Sequence, residues 1–175
     1  MTCEICNLIK TATDKVFEDD KVFAVLPSQG VTAGHIIVAT KQHFPIIENI
    51  PDDLVSHAFK VANKLSTITF ESLGAQGTNI LVNNGIDAGQ KFPHFVVHII
   101  PRRENDNINL SWQPTQANPE ELTMIEEKIK GFFNKPSVET IGDTPLPPGD
   151  QPERLDDSKE GDEENYLMKS LRRIP

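Results

Sequence analysis

Two histidines stand four residues apart in the segment GQKFPHFVVHIIPR, residues 89–102. Its alternating, largely apolar composition predicts a β-strand, in which successive side chains point to opposite faces of the sheet. His94, Val96 and His98 then share one face, and the opposite face, continuously apolar, is expected to lie in the core with Phe95, Val97 and Ile99. Histidine can ligate a metal or transfer a proton, so this strand is the first candidate for chemistry.

Further polar residues flank the neighbouring predicted strand and a glycine-rich turn. The run GHIIVATKQH places His35 at the start of a strand and His43 just beyond its end. The run VNNGIDAGQ offers the amides of Asn83 and Gln90, with Gly89 in a turn whose backbone N–H groups could approach an anion closely. These residue types together predict a phosphate-binding site.

The two cysteines of the chain occur together in the run CEIC, as Cys3 and Cys6. This spacing is typical of half a zinc site, and two cysteines are too few for a disulfide framework. Residues 1–10 lack the basic start and long apolar core of a signal peptide, and we therefore expect a reducing, cytosolic location.

Charge and hydropathy exclude several classes of function. The formal net charge of −9 argues against a protein built mainly to bind nucleic acid or an anionic membrane. No apolar run approaches the length needed to span a bilayer. A local site for a small phosphate ligand remains compatible with this charge.

The first hundred residues alternate strand and helix patterns. Strands are predicted at residues 21–27, 35–40, 78–84 and 94–101. A long helix is predicted between them, with apolar residues at helical spacing, Asp52 or Asp53 as its N-cap and Gly74 at its C-terminal end. The apolar positions of this helix are Leu54, Ala58, Ala62, Leu65 and Ile68. We expect residues 1–110 to form an α+β domain, an antiparallel sheet with the helix packed on its apolar face.

The remainder of the chain has a different character. Residues 111–135 are expected to hold an amphipathic helix, whose apolar stripe includes Leu122, Ile125 and Ile129. Residues 136–175 read as a proline-rich, acidic linker followed by a short helix near Tyr166. That last helix either docks on a partner subunit or another protein, or remains a frayed tail.

The motifs TAGHIIVATKQH and NNGIDAGQKFPHFVVHIIPR resemble those of the histidine triad (HIT) family of nucleotide hydrolases and transferases, nearest its Hint-like branch. The resemblance covers roughly residues 3–102. It implies an α+β fold that forms homodimers by joining two sheets, and a nucleotide pocket with the α-phosphate over the histidine strand.

The resemblance also implies roles for individual residues. His94 and His98 match the first and third histidines of the triad, and His35 matches an upstream supporting histidine. Asn83, Gly89 and Gln90 match the phosphate side of the pocket, which Lys91 would supplement with a positive charge. In the family the central histidine attacks the phosphate, forming a covalent intermediate, and here its position is Val96.

Two departures accompany Val96. Pro27 stands where the family usually places an aspartate that holds the ribose hydroxyls, and its side chain has no acceptor. Lys91 stands where a small hydroxyl residue is common. Because His94 and His98 are each displaced by about 7 Å along the strand, neither can replace the nucleophile in place. A water molecule activated by His98 or His35 is the remaining route to hydrolysis.

The same resemblance implies a structural zinc ion. Some members of this branch hold zinc with counterparts of Cys3, Cys6, His43 and His94, and two thiolates with two imidazoles form a closed tetrahedral set. The alternative is a pair of free thiols, a solvated His43 and a packed His94.

Three functions therefore compete. The first is a nucleotide- or phosphate-binding protein that lacks the covalent mechanism; the second is a hydrolase or transferase of nucleotidyl groups, acting by a non-covalent route. The third is an interaction adaptor that works through its C-terminal tail. A fourth interpretation assigns these residues no function: Val96 only packs, and His98 is a buried histidine whose hydrogen bonds are made.

Overall fold

The computed structural model describes residues 3–133 of the 175-residue chain. The described residues divide into two units, the first ending at Ser111 and the second beginning at Trp112. The elements of the first unit, in chain order, are α1 (Glu4–Thr11), β1 (Lys15–Glu18), β2 (Val22–Val25), β3 (Ile36–Thr40), α2 (Asp52–Leu73), β4 (Gly77–Leu81) and β5 (Val96–Arg102). The second unit contributes α3 (Pro119–Phe133).

The five strands of the first unit form one antiparallel sheet in the order β1-β2-β3-β5-β4. The predicted α+β fold is thereby confirmed. Strand β1 was not predicted, because its four residues carry two charged side chains and are too few to show a clear period. Strand β5 lies in the sheet interior, paired with β3 on one side and β4 on the other.

Helix α2 covers the face of the sheet that was expected to form the core. Phe95, Val97 and Ile99 share one buried cluster with Ala58 and Leu65 of α2. Alternation along β5 therefore separates its side chains as the sequence predicted. Burial of this apolar surface, at roughly 25 cal/mol per Å², is what holds the helix on the sheet.

The opposite face is covered too, by a helix that was not predicted. Ile5 of α1 is fully buried in a second cluster that includes Ile37 and Val96. Helix α1 has only eight residues and overlaps the CEIC run, so its apolar period was too short to recognise. The histidine side of β5 therefore lines a cavity beside α1 and does not face open solvent.

The ends and faces of α2 correct part of the prediction. Neither Asp52 nor Asp53 is the N-cap, because both lie in the first helical turn and Pro51 occupies the cap position without a side-chain hydrogen bond. Gly74 does end the helix, in a left-handed conformation with φ of 61°. Ile68, expected on the buried stripe, is 42% exposed, so the apolar period fades before the helix ends.

Helix α3 exposes its apolar residues within the second unit, among them Leu122, Ile125 and Ile129. The predicted linker and terminal helix, residues 136–175, lie outside the described residues. Over residues 3–133 no helix combines the length and apolarity that a membrane crossing requires.

Gly34 positions His35 at the entrance of β3, and this generates a prediction of stability. Its φ is 87°, and an added Cβ would lie 2.3 Å from Leu73 Cδ1. We expect Gly34→Ala to lower the free energy of unfolding by about 1–3 kcal/mol, from backbone strain and from displacement of the Leu73 side chain. Urea unfolding monitored by circular dichroism measures this change.

Gly77→Ala is the matched control for that experiment. Gly77 has no positive φ, and its added Cβ would make only an ordinary contact, 3.7 Å from Arg102 Cβ. An equal loss of stability in both variants would contradict the assignment of strain to Gly34.

Candidate functional site

A cavity of about 750 Å³ opens between α1, the loop after β2 and the turn before β5. Val96 and His98 of β5 line it from the sheet, and His35 lines it from the start of β3. Its volume lies within the usual range of about 300–1,000 Å³ for small-molecule sites. The cavity therefore unites histidines that are 63 residues apart in the chain.

His35 and His98 are joined in a hydrogen-bonded relay. Val31 N–H donates to His35 Nδ1 at 3.2 Å, so the hydrogen of a neutral His35 ring lies on Nε2. His35 Nε2 then donates to His98 Nδ1, at 3.1 Å. By the same reasoning the hydrogen of a neutral His98 lies on Nε2. The relay therefore leaves His98 Nε2–H as a hydrogen-bond donor for the cavity.

Both rings are held neutral by their surroundings. Burial, with a smaller contribution from the charge of His98, lowers the pKa of His35 to about 4. Burial lowers the pKa of His98 as well, and the charge of Lys91 adds to this effect. At neutral pH each ring therefore has one hydrogen and one lone pair.

The acceptor positions of both rings are occupied in this arrangement. The lone pair of His35 accepts from Val31 and the lone pair of His98 accepts from His35, so neither ring has a free acceptor. A general base needs such an acceptor within hydrogen-bond reach of the water. His98 in this state can donate to a phosphoryl oxygen, and activation of a water molecule by either ring would require the relay to open.

The glycine-rich turn also differs from the expectation. Four of its N–H groups donate within the turn: those of Gly85, Ala88, Gly89 and Gln90. The side chain of Gln90 is occupied as well, since its Oε1 accepts from Gly85 N and its Nε2 donates to Pro45 O and Phe92 O. Gln90 therefore holds the turn against the start of β5 and positions the cavity wall.

The donors left for an anion are side chains. Lys91 is exposed at the cavity and close enough to lower the pKa of His98 by its charge. Asn83 lines the cavity as well, with a long contact of 3.4 Å from its Nδ2 to Gly89 O. Together with His98 Nε2–H, these groups form the polar end of the cavity.

The predicted metal ligands meet at the other end of β5. One ligand atom from each of Cys3, Cys6, His43 and His94 lies within 4.8 Å of all the others. Cys3 Sγ and Cys6 Sγ are each 3.5 Å from His94 Nδ1, and Cys6 Sγ is 3.3 Å from His43 Nδ1. Around a tetrahedral zinc ion, a sulfur and a nitrogen ligand are about 3.5 Å apart, given Zn–S and Zn–N lengths of about 2.3 and 2.0 Å. The donor set therefore fits zinc.

The orientation of His94 supports the same fit. His94 is 1% exposed, and its Nε2 donates to the carbonyl oxygen of Thr40 at 2.9 Å. Its Nδ1 lone pair is consequently directed at the two thiols, which is the ring orientation a metal ligand needs. Burial lowers the pKa of His94, so the ring stays neutral and able to ligate. Burial and the neighbouring Cys3 raise the pKa of the Cys6 thiol, an effect that a bound divalent cation would reverse.

Three contributors to the site have no sequence signal. Val31 acts through its backbone N–H and Thr40 through its carbonyl, and neither function depends on residue type. Asp14 lines the cavity from the segment between α1 and β1, an element boundary that the sequence did not reveal.

The lowered pKa of His35 predicts how stability depends on pH. The unfolded chain takes up a proton near the ordinary histidine pKa of about 6.5, whereas folded His35 does so only near 4. The stabilisation is therefore complete above about pH 7 and is lost as the pH falls toward 4, by about 3 kcal/mol at most. Urea unfolding from pH 7.5 to 4.5 measures this loss.

A comparison of His35→Gln with His57→Gln isolates the contribution of His35. The first variant removes the titration of His35, so stability should fall less steeply with acid than in the parent. The second variant removes a histidine outside the cavity and serves as the control. Parallel pH profiles for the parent and His35→Gln would contradict the assignment.

Known proteins resemble this chain in sequence and in fold. The HIT domain family model matches residues 10–105. Adenosine 5′-monophosphoramidase of Candida albicans is 29% identical over 147 residues, which cover 80% of this chain and 97% of that protein.

Two solved structures extend the likeness to three dimensions. A HIT family member from Bacillus subtilis superposes with a TM-score of 0.69 at 31% identity, covering 75% of this chain and 96% of that one. A zinc-bound histidine triad family protein from Mycobacterium smegmatis superposes with a TM-score of 0.58 at 25% identity, covering 73% and 98%. Since the family model spans more than half of the chain, this protein belongs to the HIT domain family.

Proposed function

We propose that this chain binds a nucleotide through its phosphate group and lacks the covalent step of nucleotide hydrolysis. The observation that carries the proposal is the relay from Val31 through His35 to His98, which ends in a single N–H donor beside Val96. The family membership and the name of the phosphoramidase relative support a nucleotide as the ligand.

The polar end of the cavity suits a phosphate. His98 Nε2–H, the amide of Asn83 and the ammonium of Lys91 are donors, and phosphate oxygens are acceptors. Lys91 supplies a local positive charge in a chain whose formal net charge is −9. The hydrogen bond from His35 holds the ring of His98, so the Nε2–H of His98 donates to the phosphate in a fixed direction.

Val96 is the reason to separate binding from covalent chemistry. It is 7% exposed, packs in the cluster formed with Ile5 and Ile37, and has no atom that can attack phosphorus. If its position is that of the family's nucleophile, the covalent intermediate cannot form. The chain is then a divergent member that retains a site for the ligand.

A second function is favoured by the same donor. His98 Nε2–H can stabilise the negative charge that develops on a phosphoryl oxygen, so hydrolysis by water without a covalent intermediate is chemically consistent. This is the non-covalent hydrolase considered above. It differs from the binding protein in one observable, the turnover of the parent chain.

We further propose that Cys3, Cys6, His43 and His94 hold a structural zinc ion. Four protein ligands leave no open position, so the metal would join α1 and the segment after β3 to the start of β5 without taking part in chemistry. The ligand distances and the zinc-bound relative from Mycobacterium smegmatis support this role.

Three remaining parts of the proposal rest on resemblance and composition alone. They are a homodimer, a cytosolic location in which both thiols stay reduced, and a protein partner for the tail. The tail itself, residues 136–175, lies outside the part of the chain that the structure describes.

The nucleophile assignment is tested with adenosine 5′-phosphoramidate. We expect the parent to bind it without measurable turnover, and Val96→His to hydrolyse it at least about 10²-fold faster, the low end for a side chain that takes direct part in bond making. Mass spectrometry of the quenched reaction should show a nucleotidyl adduct on the variant.

Val96→Ala is the control, since it alters the packing at position 96 without adding a nucleophile. Turnover by the parent at the rate of Val96→His would contradict the binding-protein proposal. If that turnover disappears in a folded His98→Gln variant, the non-covalent hydrolase is the better account.

Removal of a zinc ligand provides a separate test. The purified protein should contain one zinc per chain by elemental analysis, and Cys6→Ser should lose most of it and unfold at lower urea. His57→Gln, a histidine outside the four-ligand set, should keep its zinc. A metal-free parent with unchanged stability would contradict the zinc proposal.

A further inference from the structure

We propose that Cys3 and Cys6 form a peroxide-responsive modification site, whose reversible oxidation to a disulfide releases zinc and loosens the α1 wall of the cavity. The inference rests on the proposed zinc site and adds a response to an oxidant that a purely structural metal does not have. Both cysteines are free and partly exposed, so a small oxidant reaches their sulfurs. Disulfides of cytosolic proteins are usually transient and redox-sensing, which is the use proposed for this pair.

The start of α1 places the two thiols for a disulfide. Cys3 is the N-cap, and its carbonyl oxygen accepts from Asn7 N–H at 3.2 Å, so Cys6 lies in the first helical turn. Residues three apart in a helix have Cα atoms about 5 Å apart, within the range of about 4.4–6.8 Å that disulfides require. The two sulfurs lie within 4.8 Å of each other, and each is 3.5 Å from His94 Nδ1. Closing the bond therefore requires movement within one helical turn and none in the sheet.

The oxidation is balanced with hydrogen peroxide as the oxidant. The thiolate of one cysteine attacks a peroxide oxygen, so that an S–O bond forms, the O–O bond breaks and hydroxide leaves. The second thiolate attacks the resulting sulfenic sulfur, which forms the S–S bond, breaks the S–O bond and releases a second hydroxide. The two cysteines lose two electrons in all, and two protons from solvent convert the hydroxides to water.

This oxidation removes half of the metal donor set. The thiolate is the form of cysteine that binds a metal, and a disulfide has none. His43 and His94 alone would leave two of the four positions of a tetrahedral site without a protein ligand. Zinc would therefore leave as the disulfide forms.

Helix α1 also depends on these sulfurs for its polar contacts with other elements. Among residues 3–133, those contacts run from Cys3 to His94 and Pro93, and from Cys6 to His43 and His94. Apolar packing around the buried Ile5 remains when they are lost. Because α1 lines the cavity, a helix without its polar tether leaves the cavity wall in place for a smaller fraction of the time.

The test treats the full, zinc-loaded chain with hydrogen peroxide at neutral pH. A chromogenic zinc chelator should report one zinc released per chain. Mass spectrometry should find a loss of about 2 Da on the peptide that contains Cys3 and Cys6, the change that a disulfide produces. Dithiothreitol with added zinc should restore the thiols and the metal.

The consequence for the cavity is measured by calorimetric titration with adenosine 5′-monophosphate after the peroxide has been removed. The oxidised chain should bind the nucleotide at least about tenfold more weakly than the reduced chain. This is the loss expected when the wall is in place for about one-tenth of the time. An affinity that stays unchanged after the disulfide has formed would overturn the coupling of the thiols to the cavity.

Two variants serve as controls. Cys3→His keeps four potential ligands but has a single thiol, so it should retain its zinc under the same treatment. Met124→Leu removes an exposed, oxidisable sulfur outside the cluster and should respond as the parent does. If Cys3→His takes up no zinc, the mass and the zinc content of the parent decide alone.

Failures of the switch and of the proposed function are distinguishable. A parent that keeps its zinc under peroxide, or that is oxidised to sulfinic acid without a disulfide, would overturn the switch and leave the zinc proposal standing. A parent that contains no zinc when purified would overturn the zinc proposal, and the switch with it. Failure of the reduced parent to bind the nucleotide would overturn the nucleotide proposal, while the disulfide and the released zinc still report on the switch.

Discussion

The pairing of β3 with β5 is the constraint on which the rest of the site depends. In its register Ile37 lies opposite His98 and Ala39 lies opposite Val96. This one antiparallel pair brings His35 to His98 at one end and Thr40 to His94 at the other. A slip of one residue would exchange the two faces of β5 and of the residues just before it, moving His98 and His94 toward the α2 core and disrupting both the relay and the metal cluster. The packing of α2 on the sheet fixes the register of β3 and β5. That register in turn fixes where the histidines lie on the opposite face.

Helix α1 links the two ends of this strand pair. Its N-terminal region carries both cysteines, its buried Ile5 packs over Val96, and its outer residues form a wall of the cavity. A metal ion held by the cysteines and by His43 and His94 would therefore secure that wall as well as the start of β5. A zinc ion at the four ligands and a nucleotide in the cavity would then be coupled through the packing of α1, without direct contact.

The sequence predicted the parts of this structure that have a regular period or a specific residue type. Alternation along residues 94–101 assigned Phe95, Val97 and Ile99 to the core, and the 3.6-residue period of α2 located most of its buried face. Gly74 was recognised because a left-handed C-terminal position favours glycine. Each of these features depends on residues that are close together in the sequence, so the sequence alone reveals it.

The features that escaped prediction depend on contacts distant in the chain or on backbone atoms. Helix α1 is too short to show a period, and tertiary burial of Ile5 stabilises it. The turn before β5 was expected to offer its N–H groups to an anion, but Gln90 and the turn itself use them. The donor and acceptor pattern of His98 follows from the N–H of Val31, 67 residues earlier, to which any residue other than proline contributes equally.

The most direct test of the proposed phosphate site is a crystal structure of the chain bound to adenosine 5′-monophosphate. It should show a phosphate oxygen within about 3 Å of His98 Nε2, with the bond between His35 Nε2 and His98 Nδ1 intact. A phosphate bound elsewhere in the cavity, or a His98 ring turned away from His35, would contradict the claim that the relay presents His98 as the donor for the ligand.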